Sequence, residues 1–199
     1  YAAVWDSVAA MTRDSIDSRL RFEEAFNLTY SNNLWEDSYD TFTFSNALMS
    51  LTTMKSLKRP LASKVLRDAS LYLAWTGVAL AAWAMLANKA TVLFTFYAPL
   101  QATPAFYIGA VFLVVSTWCT LANQLLTLRA WRKDGHEGER IPLLAFTSVV
   151  TELMWFLASI GIAIEVLVFV LPWSLGITDS IDPQFTRILF WFTGHPIVY

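Results

Sequence analysis

Cysteine, histidine and charge are all scarce in this sequence. The chain has one cysteine and two histidines among 199 residues. A single cysteine, Cys119, excludes a disulfide framework. Charged residues make up 15% of the chain, against about 25% in an ordinary soluble domain. The net charge is only −2, and the basic residues fall in loop clusters, so nothing indicates a nucleic-acid partner.

Apolar residues are the largest class in the sequence. They make up 56% of the chain, and the mean hydropathy is +0.46. This balance predicts an all-α fold, a polytopic bundle of transmembrane helices. The sequence contains no Walker loop, dinucleotide fingerprint or nucleophile elbow. It opens without Met and without a secretory signal pattern, so we expect a piece of a longer protein.

Three apolar segments have lengths that suit a membrane crossing, which takes about 20 residues, and a fourth apolar segment continues to the last residue given. The third is long enough to cross at a tilt. Residues 55–199 are therefore predicted to be the transmembrane part of the chain. The four predicted spans are residues 69–86, 105–128, 143–171 and 185–199.

Lysine and arginine cluster before the first predicted span and again between the second and the third. Cytoplasmic loops are enriched in these residues, so both clusters are predicted to be cytoplasmic, and the four spans then alternate in direction without conflict. Trp131 and Trp173 lie at opposite ends of their spans, as aromatic residues at membrane interfaces do. Tyr107 is likewise interpreted as an interfacial anchor.

Residues 1–54 differ from the rest of the chain. They hold eight acidic and three basic residues and no histidine. We interpret them as a divergent polar segment of uncertain structure. A soluble acidic regulatory segment attached to a helix bundle is the alternative.

Two glutamates lie within the third predicted span, where ionisable side chains are costly and usually functional. Glu152 and Glu165 are 13 residues apart, about 20 Å along a helix and on different faces, so they do not form a carboxylate pair. Glu165 is interpreted as an element of a proton path, and the alternative is a carboxyl group that faces a neighbouring helix and stays protonated. Glu152 is nearer the cytoplasmic end and is interpreted as structural or snorkelling.

His195 lies in an apolar run, and Tyr199 follows it by four residues. On a helix this spacing places the phenol and the imidazole on one face. Neutral imidazole is the commonest metal ligand, so the residues alone suggest a ligand, a proton relay or a hydrogen-bonded interior histidine. The other histidine, His136, lies in a charged loop and is expected to be solvated.

The run Trp191-Phe192-Thr193-Gly194-His195-Pro196-Ile197-Val198-Tyr199 resembles the sixth-helix signature of haem–copper terminal oxidase subunit I. The resemblance extends back to about residue 57, which implies helices three to six of a subunit with twelve or more. Most of the family has glutamate where this chain has Ile197, and the variant is similar to the B-family oxidases.

The resemblance implies a role for each residue of the motif. His195 would be one of three histidine ligands of the active-site copper. Tyr199 would be the catalytic phenol, covalently joined to His195, that gives an electron and a proton when the O–O bond breaks. Trp191 would pack beside the copper site, and Thr193 would lie close to it. Related nitric oxide reductases lack this tyrosine, so oxygen is the implied substrate.

By the same resemblance, the chain is a fragment of the catalytic subunit of a respiratory oxygen reductase, which reduces oxygen to water and translocates protons. Its parent would hold haem and copper, contact membrane lipid and other oxidase subunits, and take electrons from cytochrome c or a similar donor. It would be a multi-pass protein of a prokaryotic plasma membrane. The fragment alone is expected to be inactive, because the other copper and haem ligands would follow Tyr199.

The alternative is a non-catalytic membrane helix bundle in which His195 and Glu165 serve packing or ion passage. Histidines on later spans would favour the oxidase, and their absence would favour the bundle.

Overall fold

A computed structural model describes residues 37–90, 92, 96 and 98–198. The chain divides into two compact units, Tyr1–Thr41 and Phe42–Tyr199, and of the first only the start of one helix is described. The described elements are α1 (Asp37–Leu57), α2 (Lys64–Leu86), α3 (Pro104–Lys133), α4 (Leu143–Ile164), a π-helical segment (Glu165–Val170), α5 (Leu171–Ser174) and α6 (Pro183–Val198).

The all-α fold is confirmed, and the first three predicted spans fall within helices long and apolar enough to cross a membrane. The helices extend past the predicted limits. The first begins at Lys64, the second ends at Lys133, and the third runs without a break from Leu143 to Ser174. The fourth predicted span coincides with α6, whose 16 residues are fewer than a full crossing needs.

The helix α1 crosses residue 54, where the polar segment was predicted to end. It stops at Leu57, followed by Lys58 with a φ of 48° and by Pro60, which cannot continue a helix. The Ser63 hydroxyl then accepts a hydrogen bond from the Leu66 backbone N–H and caps α2. A helix, a short turn and a second helix therefore fit between residues 37 and 86.

Two glycines let α2 and α3 approach closely. A Cβ atom on Gly77 would lie 2.8 Å from the Gly109 carbonyl oxygen, and a Cβ atom on Gly109 would lie 2.8 Å from the Gly77 carbonyl oxygen. The buried residues Ala74 and Ala81 lie near Gly77 along the same face of α2. Small residues of this kind let membrane helices pack by close backbone contact.

Reciprocal hydrogen bonds join α3 to α4. The Trp155 indole N–H donates to the Thr117 hydroxyl, and the Trp118 indole N–H donates to the Ser159 hydroxyl, both over 2.8 Å. Each indole thereby finds an acceptor inside an apolar bundle, where an unpaired N–H would be costly. The helix α3 is packed against both α2 and α4 and lies at the centre of the described unit.

The end of the bundle predicted to be cytoplasmic is closed by a small core of Leu57, Trp131 and Ala145. The His136 ring stacks on Trp131 with its centroid 4.6 Å away, and its Nδ1 lies 3.2 Å from the Trp131 carbonyl oxygen. The expectation of a solvated His136 was therefore wrong: the ring is half-buried against the helix end. Arg59 forms an ion pair with Asp134 beside it.

The third span changes from α to π geometry at Glu165. In this wider turn the Leu171 N–H donates to the Val166 carbonyl, five residues earlier. Pro172 explains why the helix widens at this point. Its ring has no N–H and would clash with the carbonyl four residues before it in a regular α-helix, and a wider turn relieves that clash.

Large apolar side chains cover the outside of these helices. Tyr72 and Trp75 on α2 and Met154 on α4 are each more than 60% exposed. Apolar patches of this extent meet lipid or further protein rather than water. Together with the three long apolar helices, they identify a membrane protein.

We expect Gly109→Ala to destabilise the protein. Alanine gains about 1 kcal/mol over glycine in helix propensity, but forcing the new methyl against the Gly77 carbonyl, which is backbone and cannot rotate away, costs about 2–3 kcal/mol at the upper end of the usual range for overpacking, so a net loss of about 1–2 kcal/mol remains. Thermal unfolding in detergent measures the difference. Ala79→Val, which adds volume on the exposed face of α2, is the control and should change little. Equal stability of Gly109→Ala and the original protein would contradict the close helix contact.

Candidate functional site

The helix α6 carries the histidine motif, and its start is fixed by Asp182. The Asp182 carboxylate accepts hydrogen bonds from the backbone N–H groups of Gln184 and Phe185. Pro183 occupies the first helical position, where a missing N–H costs nothing. The sequence therefore sets where the helix begins, twelve residues before His195.

The helix has two distinct faces. Thr186, Phe190 and Thr193, at spacings of four and three, are buried against the rest of the bundle. Trp191 and His195, four residues apart, share the other side and are exposed in the described chain. The structure thus brings Trp191 and His195 onto one face, and it places Thr193 on the opposite one.

Thr193 contacts the backbone of α4 directly. Its hydroxyl oxygen accepts a hydrogen bond of 2.8 Å from the backbone N–H of Ile162. The neighbouring residue, Gly161, makes room for it, because a Cβ atom there would lie 2.5 Å from the Thr193 hydroxyl oxygen. The same Cβ atom would be 3.0 Å from the Leu189 carbonyl oxygen. The backbones of α4 and α6 therefore meet at this point.

An aromatic cluster at the connection between α2 and α3 packs against α6. Phe96, from the connection between α2 and α3, is 3% exposed and has a φ of 52°. Its ring makes edge contacts with Phe106 and Tyr107 of α3 at 5.9 Å and with Phe190 of α6 at 6.1 Å. One loop residue thereby connects α3 to the helix that carries His195.

Glu165 lies at the first position of the π-helical segment and is fully buried. Neither of its carboxyl oxygens has a hydrogen-bond partner among the described residues. A buried carboxyl group without partners is costly, and native structures rarely keep one without a functional reason. The burial of Glu165 agrees with its selection from sequence, and its role in a proton path stays a prediction.

Tyr107 is a residue that the sequence interpretation missed. It is fully buried, so its assignment as an interfacial anchor was wrong. Its hydroxyl oxygen accepts a hydrogen bond of 3.0 Å from the Ala102 backbone N–H, and the group is near enough to Glu165 to interact with it electrostatically. The signal lay in the helical spacing of Tyr107, Ala110 and Leu113, which marks the buried face of α3.

A second group of buried polar side chains lies nearer the end predicted to be cytoplasmic. Thr52 of α1 and Ser148 of α4 share a hydrogen bond of 2.8 Å. Thr53, next to Thr52, and Gln124 of α3 are fully buried, and their side-chain polar atoms have no hydrogen-bond partner among the described residues. Glu152, one turn after Ser148, is 6% exposed. It is therefore buried in the bundle, so of the two interpretations snorkelling was wrong, while a structural role agrees with the burial.

The described residues fit a metal ligand at His195, but they do not complete a site. Among them, no group of three histidine, cysteine, aspartate or glutamate side chains is close enough together to hold a metal ion. His195 lies on the exposed face of α6, where additional chain has space to approach. Tyr199 lies outside the described residues.

Comparison with known proteins gives one family match. Residues 40–199 match the family model described as Cytochrome C and Quinol oxidase polypeptide I. The match begins earlier than the resemblance at residue 57 and includes most of α1.

Two individual relatives agree with this match. The cytochrome c oxidase subunit 1 of Thermus thermophilus is 48% identical over 130 residues, which cover 65% of this chain and 23% of that protein. A solved structure of a heme-copper terminal oxidase dimer is similar with a TM-score of 0.73 and 37% identity, covering 84% of this chain and 28% of that one. The chain thus spans about a quarter of the length of these relatives.

We expect Glu165→Met to leave the protein at least as stable as the original. The substitution removes a buried, unpaired carboxyl group, whose burial costs about 1–3 kcal/mol, and keeps a side chain of similar length. Thermal unfolding in detergent is the measurement. Ser159→Ala is the control, because it leaves the Trp118 indole without its acceptor and should lower stability. A large loss in Glu165→Met would mean that the carboxyl group has a partner in the full-length protein.

Proposed function

The chain belongs to the cytochrome c and quinol oxidase polypeptide I family, and we propose that it is part of the catalytic subunit of a respiratory oxygen reductase. The parent protein would reduce oxygen to water and translocate protons. Because the chain covers only 23% of the Thermus thermophilus relative, this activity is a proposal about the parent and not about the fragment.

The observation that carries the proposal is the division of α6 into two faces. The buried face is hydrogen-bonded to α4 and packed on Phe96, while His195 and Trp191 lie on the other face and are exposed in the described part of the chain. A helix built in this way presents an imidazole from a rigid support to the space where the rest of the subunit would lie. We propose His195 as one ligand of the active-site copper, with the other ligands supplied by chain beyond Tyr199.

The proposed chemistry assigns separate tasks to the residues of this motif. Copper and haem, when bound in the parent, would bind oxygen and deliver electrons to it. The His195 ring nitrogen would hold the metal, and the Trp191 indole, one turn earlier, would pack beside it and exclude water. The Tyr199 hydroxyl would supply a proton and an electron to oxygen, from a position fixed by a covalent bond to the imidazole.

Glu165 is proposed as a proton-carrying group on a path to or from this site. Its carboxyl group is enclosed within the bundle and has no hydrogen-bond partner among the described residues. A carboxyl group that is not committed to an ion pair is free to take up and release a proton. Thr193, in contrast, is already committed to α4 through its hydrogen bond.

The same proposal implies the location of the protein and its partners. The protein would lie in the plasma membrane of a prokaryote, in agreement with a bacterial relative, and would contact lipid and other oxidase subunits. Cytochrome c or a similar carrier would supply the electrons.

We expect His195→Ala in the full-length parent to reduce oxygen consumption to background while haem is retained, because the change removes a copper ligand and no haem ligand. Oxygen-electrode assays, metal analysis and haem spectra measure the three quantities. His136→Ala is the matched control, since this loop histidine stacks on Trp131 far from the motif in sequence. Turnover that survives in His195→Ala would remove His195 from the copper site and favour the non-catalytic bundle.

We also expect the active parent protein to contain a covalent bond between His195 and Tyr199. Joining a ring nitrogen to a ring carbon removes two hydrogen atoms, with oxygen as the oxidant. Peptide mass spectrometry should therefore find the segment 191–199 lighter by two hydrogen atoms. Tyr199→Phe cannot form the bond, so its peptide should have the full mass calculated from its own sequence, with no loss of two hydrogen atoms. An unmodified peptide from an active, metal-loaded preparation would contradict the proposed role of Tyr199.

A further inference from the structure

We propose that the contact of Thr193 with Gly161 and Ile162 is a positioning device that sets the height and rotation of α6, and thereby the place of the His195 imidazole. The inference rests on the proposed function, in which His195 binds copper. In this interpretation Thr193 is a positioning residue, which acts through His195 and does not touch the metal.

The contact has a defined geometry. The acceptor of the Ile162 backbone N–H is a side-chain oxygen from a different helix, at 2.8 Å. Within a regular helix that N–H belongs to the carbonyl four residues earlier, so the Thr193 hydroxyl enters the hydrogen bonding of the α4 backbone. Thr193 is 1% exposed, which leaves no water to replace it.

Gly161 makes the contact possible, since any side chain would push the helices apart. A Cβ atom would meet the Thr193 hydroxyl oxygen at 2.5 Å, the Leu189 carbonyl oxygen at 3.0 Å and the Phe192 ring at 3.1 Å. Real Cβ atoms do not approach backbone and side-chain atoms in this way on three sides. The carbonyl oxygen belongs to the α6 backbone and cannot rotate away, so α6 itself would have to move.

The effect on His195 follows from the distance between the two residues along α6. Thr193 and His195 are two positions apart, so they differ by about 3 Å in height and about 200° in direction. A rotation of α6 by about 15° would move a side chain about 6 Å from the axis by about 1.5 Å. Metal ligands need placement within about 0.5 Å, so even this small rotation would disturb the site.

The ring contact of Phe190 does not by itself fix the rotation of α6. Phe190 meets Phe96 edge to face with ring centroids 6.1 Å apart. Ring contacts of this kind tolerate sliding and small rotations. A hydrogen bond to a backbone N–H has both a fixed length and a fixed direction. The Thr193 hydroxyl therefore determines the register between α4 and α6.

The test uses four variants of the full-length parent protein. Thr193→Val keeps the shape of the side chain and removes the acceptor, and Thr193→Ser keeps the hydroxyl and is the rescue variant. Gly161→Ala forces the two backbones apart. Gly109→Ala is the matched control, because it disturbs an equally close glycine contact between α2 and α3, away from α6.

Two measurements are made on each variant. Hydrogen exchange of the peptide containing Ile162 reports the hydrogen bond itself, and the infrared stretching frequency of carbon monoxide bound to copper reports the placement of the ligands. We expect Thr193→Val to speed exchange at Ile162 by up to about tenfold, the range that one ordinary hydrogen bond allows. Thr193→Val and Gly161→Ala should shift or broaden the carbon monoxide band, and Thr193→Ser and Gly109→Ala should retain it.

Each other outcome has a distinct meaning. Faster exchange with an unchanged carbon monoxide band would overturn the inference, since the contact would exist without placing His195. An equal shift in Gly109→Ala would overturn it as well, because general loosening would then explain the effect. A wild-type protein with no copper and no carbon monoxide band would instead refute the proposed function, and the positioning role would fall with it. The exchange data would still report whether the contact between Thr193 and Ile162 exists.

Discussion

The described structure depends on one constraint, which is that polar groups inside a bundle that lies in hydrocarbon are costly unless they find partners. Several polar side chains of α3 find theirs on neighbouring segments. Asn123 and Thr127 hold the turn before α2 through the backbone of Ala62 and Ser63. Further along α3, Thr117 accepts the indole N–H of Trp155. Each bond fixes a neighbouring helix as well as satisfying a polar atom. The helix α3 therefore acts as the support on which the others are arranged.

Much of the fold could be predicted from the sequence, and the reasons are local. Long apolar segments and basic loops identify the membrane helices, and Pro183 after Asp182 indicates where α6 begins. The helix ends were underestimated because Lys64 and Lys133 are charged residues that extend an apolar helix into the interface. The helix α1 was missed because its sequence is polar and lacks a clear period, so its form depends on the helices beside it.

The residues of the candidate site could be predicted from the sequence, but their arrangement in space could be predicted only in part. The spacing of Trp191 and His195 places both on one face by helix geometry alone. Helix spacing also turns Thr193 away from His195, but it could not show that Thr193 binds Ile162 or that Tyr107 is buried near Glu165, because both depend on contacts between distant segments. In each case the structure identifies the second residue of the contact, which the sequence could not. It separates a face of α6 that is bound to the bundle from a face that is available to the rest of the subunit.

The π-helical segment has a consequence for how this span tolerates changes in length. A π turn contains one residue more than the α turn it replaces, so it is equivalent to an insertion that the helix has absorbed beside Pro172. Deleting one residue between Val166 and Val170 would therefore restore a regular ladder and leave the direction of the side chains after it nearly unchanged. Trp173, whose carbonyl oxygen accepts a hydrogen bond from Gln101, would then keep its place against the connection it now anchors. Homologous proteins that lack the extra residue should therefore differ in this stretch of the helix and retain the outer connection.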